Sequence, residues 1–237
     1  MVYNVVISHH QTENINKFPK NSVIVFDDVT ENDIKECESN NIPYVLSKEK
    51  GNRSINRNTG LYYILDNYDI KDNDIIQFFD GDRYPVDYNI ENVINLMETH
   101  KVDVMLYSCQ YDKRHTKIFV PLEGAVIIDT GTLCNPFYSC GFAITVNAIH
   151  KIMEFNNNSF FETSFIYWGG EDQYMGLICD KIELKVGLTC EILLNGNVGG
   201  DQEEHPDYKK SMQNYINLIR KYNLPIRNSA KESYIIK

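Results

Sequence analysis

Ile75-Ile76-Gln77-Phe78-Phe79-Asp80-Gly81-Asp82-Arg83-Tyr84-Pro85 is an apolar run with one polar break, and it ends in two carboxylates one residue apart. A short continuous apolar run reads as a strand buried on both faces. Such a strand, stopping at Asp80-Gly81-Asp82, delivers two acids to the carboxyl edge of a sheet, where open α/β sheets bind ligands. Gly81 is expected to bend the backbone so that both carboxylates reach one hard cation. A cation held by one or two carboxylates keeps positions free for substrate oxygens, above all those of a diphosphate. The competing reading is a solvated turn, because Asp-Gly is a common turn dipeptide.

Upstream, Val2 to Ser8 and Ser22 to Phe26 read as strands, the second ending in Asp27-Asp28 and followed by a polar helix. Thr30 with Asp33 has the N-cap pattern for that helix. Two strands that end in polar residues before a helix suggest a Rossmann-like half. Val45-Leu46 is a short third strand. Ser47 to Asn58 carries charge and amide groups without an apolar period, so the next helix is expected from Thr59, with Leu61, Ile64 and Leu65 facing inward. Downstream, the expectations are a helix from Tyr88 to His100, strands at Val102 to Cys109 and Lys117 to Ile128, the latter as a hairpin arm, and a helix from Asn147 to Phe155. A last strand is expected at Cys190 to Leu194, before a Gly-rich loop from Gly196 to Gly200.

The 237 residues carry a formal charge of −10 with no compensating Lys/Arg cluster, which argues against a nucleic-acid binder that works by neutralising phosphates. An acidic protein that handles phosphates wants a metal as intermediary. No run is long enough to span a bilayer and the N-terminus lacks the basic flank of a signal, so a cytoplasmic protein is the expectation. Six cysteines without C-x-x-C spacing, mostly among apolar residues, read as reduced thiols. No linker or repeat interrupts the chain, which favours one domain.

A second stretch stands out: Tyr167-Trp168-Gly169-Gly170-Glu171-Asp172-Gln173, with the sequence's one tryptophan, two glycines and two acids before a helical run. Acids also belong in a first helical turn, where the dipole favours negative charge. The two acidic stretches occur in one order and at a separation that carries a resemblance. The chain resembles the GT-A glycosyltransferases, in particular the family-2-like and β-1,4-galactosyltransferase-type enzymes, through D-x-D at Asp80-Gly81-Asp82 and W-G-G-E-D at Trp168 to Asp172.

The resemblance implies an α/β GT-A fold: a Rossmann-like nucleotide-binding half with a mixed, mainly parallel central sheet flanked by helices. It implies a single domain over 1–237, with 1–100 binding nucleotide, 101–205 binding acceptor and 206–237 forming a C-terminal helix and tail. Ser8, Asp27, Asp28, Arg53, Arg57, Asn58 and Asp80 would meet the nucleotide of a UDP-sugar. Asp82, Asp80 and His205 would hold Mn2+ or Mg2+, with His9 and His10 as alternatives by position. Asp172 would be the base, while Glu171 with Trp168, Gly169 and Gly170 would bind and orient sugars. The implied reaction is metal-dependent, inverting transfer to the hydroxyl of a glycan or other acceptor. Gln173 and Tyr174 stand where the galactosyl type has further acids, and Arg83 puts a positive charge beside the D-x-D. Retaining transfer, nucleotidyl transfer and non-catalytic sugar or nucleotide binding are the alternatives.

Overall fold

The computed structural model describes residues 1–9, 12–110, 123–133, 135–165, 169–195, 208–224 and 226–237. Ten strands, β1 (Val2–His9), β2 (Ser22–Asp28), β3 (Tyr44–Leu46), β4 (Ile75–Asp80), β5 (Pro85–Tyr88), β6 (Val104–Cys109), β7 (Ala125–Ile128), β8 (Gly141–Thr145), β9 (Val186–Leu194) and β10 (Tyr234–Ile236), join one sheet. Among the described residues a short 3-10 helix (Thr12–Lys17) and six α-helices accompany it: α1 (Glu31–Ser39), α2 (Arg53–Asn67), α3 (Ile90–His100), α4 (Val146–Phe155), α5 (Glu171–Lys181) and α6 (Tyr208–Lys221). The strand order is β10-β7-β9-β6-β8-β4-β1-β2-β3, with β5 on the end of β9. Strands β1 to β4, β6, β9 and β10 point one way, and β5, β7 and β8 the other. The result is a mixed, mostly parallel α/β sheet.

Every residue of β4 is buried, as a run apolar on both faces requires. Phe78 stacks on Phe142 at 4.9 Å between ring centroids and on Phe160 at 5.5 Å, while Phe79, on the other face, meets Phe18 at 5.8 Å. The polar break is satisfied rather than exposed. Gln77 donates to Asn4 Oδ1 and Tyr88 OH, each at 2.7 Å, and accepts from Tyr107 OH at 2.5 Å. A buried amide with all these partners costs little and fixes register, because only Asn4 directly across from it completes the pair.

The chain runs outward from β1 through β2 to β3, then returns to β4 on the other side of β1. That reversal opens a crevice at the carboxyl ends of β1 and β4, the place where doubly wound sheets bind ligands. Helix α2 floors it. Gly60 lets α2 approach closely: a Cβ there would lie 2.4 Å from Val5 Cγ1 and 2.7 Å from Val25 Cγ2.

Several elements differ from the sequence-based expectation. Helix α2 begins at Arg53, capped by the Asn52 side chain on Ile55 N–H at 3.0 Å, six residues before the expected Thr59. Its first two turns have no apolar period because the face they bury is polar: Ser54, Asn56, Arg57 and Asn58 are all buried. Tyr88 belongs to β5, and α3 starts after its Asn89 cap. Of Lys117 to Ile128, residues 117–122 lie outside the described residues, and β7 pairs with β9 and β10, not with β6 as a hairpin. Strand β9 starts at Val186, and β10 follows α6, so the expected last strand is neither that short nor last. The capping box of Thr30 and Asp33 is present on α1. Cys37, Cys109, Cys140, Cys179 and Cys190 are free thiols.

Candidate active site

A pocket of about 350 Å³ opens at the sheet edge, lined by Ile7, Ser8, His9, Asp27, Gly51, Arg53, Asn56, Asp80, Gly81 and Asp82. Three strand ends and the first turn of α2 build it. β1 shifts register against β2 between Ser8 and His9, the kind of irregularity that re-aims side chains at a sheet rim. Asp27 then organises one wall: its carboxylate accepts from Gly51 N–H at 3.0 Å and from Asn56 Nδ2 at 3.1 Å, and meets His9 Nδ1 at 2.7 Å. Asp28 does not line the pocket and pairs with Lys50.

The D-x-D turn is braced through its backbone. Asp80 N–H donates to Cys140 O at 3.0 Å, Gly81 N–H to Ile7 O at 2.7 Å and Asn14 Nδ2 to Gly81 O at 3.1 Å. Gly81 is not among the glycines with positive φ, so hydrogen bonds rather than a left-handed bend shape this turn. The two acids have different surroundings. Asp80 is 8% exposed and salt-bridged to Arg57 Nη2 at 2.7 Å, with Arg53 Nη1 at 3.9 Å. The Asp82 side chain is half exposed, and desolvation together with the Asp80 charge holds its carboxyl above the usual carboxylate range.

The second acidic stretch opens α5, and neither Glu171 nor Asp172 is on the lining of that pocket. Gly169 and Gly170 have φ of 104° and 90°, left-handed values that a side chain disfavours, and so turn the chain into the helix. Gly169 N–H donates to Glu171 Oε2 at 3.0 Å, and Ser139 Oγ donates to Asp172 Oδ1. The carboxyl of Glu171, enclosed by protein although the residue keeps a part-exposed edge, is pushed up to about 7 by desolvation and the adjacent Asp172 charge.

Arg57 links the two stretches. It is 1% exposed, and although burial opposes its charge, Asp80, Asp172 and Glu171 hold it firmly protonated. Its Nε and Nη1 have no hydrogen-bond partner among the described residues. Residues 80 and 172, 92 positions apart in the chain, therefore act on one buried guanidinium, Asp80 by a direct salt bridge and Asp172 through its charge. Arg57 lies beneath the pocket rather than on its lining, and Asn58 faces elsewhere: its side chain holds Phe161 O at 2.8 Å, Phe161 N–H at 2.9 Å and Ser159 Oγ at 3.0 Å. Trp168, His205 and His10 lie outside the described residues.

Asn56, Ser139 and Asn14 were not singled out in the sequence. Asn56 had a readable signal: Arg53, Asn56, Arg57 and Gly60 stand at i, i+3, i+4 and i+7, a helical period written in residues other than apolar ones. Ser139 had none. The donor set at the pocket suits a hard divalent ion, since Asp82 and Asp80 offer carboxylate oxygens one residue apart and such ions complete their shell with substrate phosphates. Because Asp80 faces two guanidinium groups, Asp82 is the better placed ligand. Among the described residues no group of three or more His, Cys, Asp or Glu side chains is arranged to hold a metal. No helix among them is long and apolar enough to cross a membrane.

No protein-family model and no curated protein sequence matches the chain. Solved structures do match. The chain is similar to S. aureus TarS residues 1–349 in complex with UDP-GlcNAc, with a TM-score of 0.62 and 15% identity over 97% of this chain and 68% of that one. It is also similar to the longer S. aureus TarS structure, with a TM-score of 0.61 and 13% identity over 96% and 40% of the two chains. GalNAc-T7 with UDP, GalNAc and Mn2+ matches at a TM-score of 0.60 and 10% identity, over 94% of this chain and 49% of that one. The chain thus spans between 40% and 68% of the length of these structures. TarS and GalNAc-T7 are GT-A glycosyltransferases, and the chain has their fold.

Proposed function

We propose that the protein is a metal-dependent, inverting glycosyltransferase that moves a sugar from a UDP-sugar to an acceptor hydroxyl and forms a β-glycoside. The observation that carries this reading is the placing of Asp80 and Asp82 on a pocket at the sheet's switch point, with Asp80 salt-bridged to an Arg57 that also feels the charges of Glu171 and Asp172. UDP-GlcNAc bound to TarS and UDP with Mn2+ bound to GalNAc-T7 support the donor class and the metal. The likeness of the two acidic stretches to those of β-1,4-galactosyltransferase-type enzymes supports the roles. A cytoplasmic protein goes with the reading.

In it, the nucleoside occupies the wall built by Ser8, Asp27, Arg53 and Asn56. Asp82, seconded by Asp80, would hold Mn2+ or Mg2+, and His205 is the expected third ligand. The bound ion supplies charge neutralisation for the leaving diphosphate. Arg57 and Asn58 serve the site from below, the first by holding Asp80, the second by tethering the 159–161 loop. Asp172 takes the proton of the acceptor hydroxyl, whose oxygen attacks the anomeric carbon opposite the diphosphate. Glu171 carries a proton near neutral pH and so can donate a hydrogen bond to a sugar oxygen, which orients without competing for the acceptor's proton.

Transfer and hydrolysis of a panel of UDP-sugars with and without manganese test the reading, in the wild type and in Asp172→Asn and Asp82→Asn. Manganese-dependent turnover is expected to fall about a thousandfold in Asp172→Asn with UDP binding kept, as loss of a catalytic base does. Asp82→Asn should raise the manganese requirement. An α-linked product, or full turnover in Asp172→Asn, would overturn the assignment.

A further inference from the structure

We propose that Ser139 is a positioning residue for the proposed base: by holding Oδ1 of Asp172 it leaves Oδ2 as the oxygen that takes the acceptor's proton. The inference rests on the glycosyl-transfer reading and adds a residue to it.

Ser139 is 1% exposed and its hydroxyl donates to Asp172 Oδ1. A hydroxyl has one proton to give, so it engages one carboxylate oxygen and stops the group from rotating. Ser139 is itself fixed by the segment it belongs to. Four residues earlier, Asn135 Nδ2 donates to Gln173 O at 3.0 Å, and Asn135 Oδ1 accepts from Phe137 N–H at 3.1 Å. Gly176 leaves room for this contact: a Cβ there would stand 2.3 Å from Asn135 Oδ1. The segment therefore lies directly on the first two turns of α5.

One residue later the same segment grips the donor edge. Cys140 O accepts from Asp80 N–H at 3.0 Å, and Gly141 then pairs with Phe79 as β8 begins. Two consecutive residues thus touch both acidic stretches, so the distance from base to D-x-D is set by one peptide unit and not by the loops between. The charged groups around Asp172 are Glu171 beside it and Arg57 from α2, with Arg53 acting on Glu171. Neither fixes which carboxylate oxygen works. The step itself balances simply: the acceptor O–H bond breaks, its proton goes to Oδ2, and the oxygen's electron pair forms the glycosidic bond as the bond to diphosphate breaks.

Losing a hydrogen bond to the base should cost the chemical step and spare donor binding, a split that a merely structural serine would not give. In Ser139→Ala kcat should fall about tenfold with the donor KM unchanged. Ser139→Cys, nearly the same size with a weak S–H donor, should fall between and serves if the alanine variant does not fold. A second readout needs no turnover: the carboxyl carbon-13 resonance of Asp172, assigned through Asp172→Asn, should move in the serine variants at fixed pH. An unchanged kcat, or a raised donor KM with an unmoved resonance, overturns the proposal while leaving glycosyl transfer standing. If the wild type turns over no nucleotide sugar, the transfer reading fails, and the NMR comparison alone decides whether Ser139 holds Asp172.

Discussion

Asp80-Gly81-Asp82 and Gly169-Gly170-Glu171-Asp172 are both a pair of acids next to glycine, yet the fold treats them in opposite ways. The first sits at the end of a fully buried strand and is held by three backbone contacts from neighbouring segments. Both acids line the pocket, the inner one paired with Arg57 and the outer one half exposed. The second sits at a helix start, on two left-handed glycines, and its Glu171 holds a proton to about pH 7. A helix N-terminus favours negative charge by about 0.3–1 kcal/mol. The rise of Glu171 from 4.5 to about 7 amounts to roughly 3 kcal/mol in the other direction, so desolvation and the Asp172 charge win over the dipole. In the proposed reaction the first region holds fixed charge against a ligand and the second keeps or takes a proton.

Removing the shared guanidinium should break the contrast most strongly. Arg57→Met leaves Asp80 buried without its partner, and urea unfolding should show a loss of about 3–5 kcal/mol, the range for breaking a buried ion pair from one side. Retained stability would mean that water or Arg53 takes over the Asp80 carboxylate.

A smaller effect, with a sign set by pH, is expected at Glu171. Unfolded, this carboxyl ionises near 4.5; folded, it does so near 7. The proton it holds contributes stability that is fully present below about pH 4.5 and lost as pH rises through 7. Glu171→Gln mimics the protonated form, so its stability relative to wild type should rise between pH 5 and pH 8, ending about 3 kcal/mol higher, while below pH 4.5 the two should differ little. Equal melting curves across that window would show that Glu171 is ionised throughout, and the two acidic regions would then be alike.

The smallest change tests the turn that separates the regions. At Gly170 a Cβ would stand 3.0 Å from Tyr215 Cβ and 3.2 Å from Phe165 Cε1, on a backbone with φ of 90°. Gly170→Ala should cost about 1–2 kcal/mol in thermal unfolding. Gly51→Ala makes a useful control, because its φ is 76° but nothing crowds its Cβ, so it isolates backbone strain from packing.

Much of the donor side was legible because its signals are local. Continuous burial of β4 is written in consecutive apolar residues, and the Thr30 cap lies three residues from its partner Asp33. The start of α2 was missed for an equally physical reason: Arg53, Asn56 and Arg57 face the site or the core with polar groups, so an apolar period cannot mark the helix. The expected helix includes Tyr88 and β5 goes unread because Pro85 to Tyr88 pairs only with the distant end of β9, and pairing leaves no local pattern.

By itself the sequence determined the order of the two acidic stretches and that Asp80 and Asp82 stand at a strand end. Only the tertiary structure decided what those acids are. It divided Asp80 from Asp82 by burying one against Arg57 and exposing the other, and it gave Glu171 a proton by enclosing it beside Asp172. It brought Ser139 to Asp172 across 33 residues. The reason is that charge state and orientation depend on neighbours in space and on access to water, and neither is set by the residues adjacent in the chain.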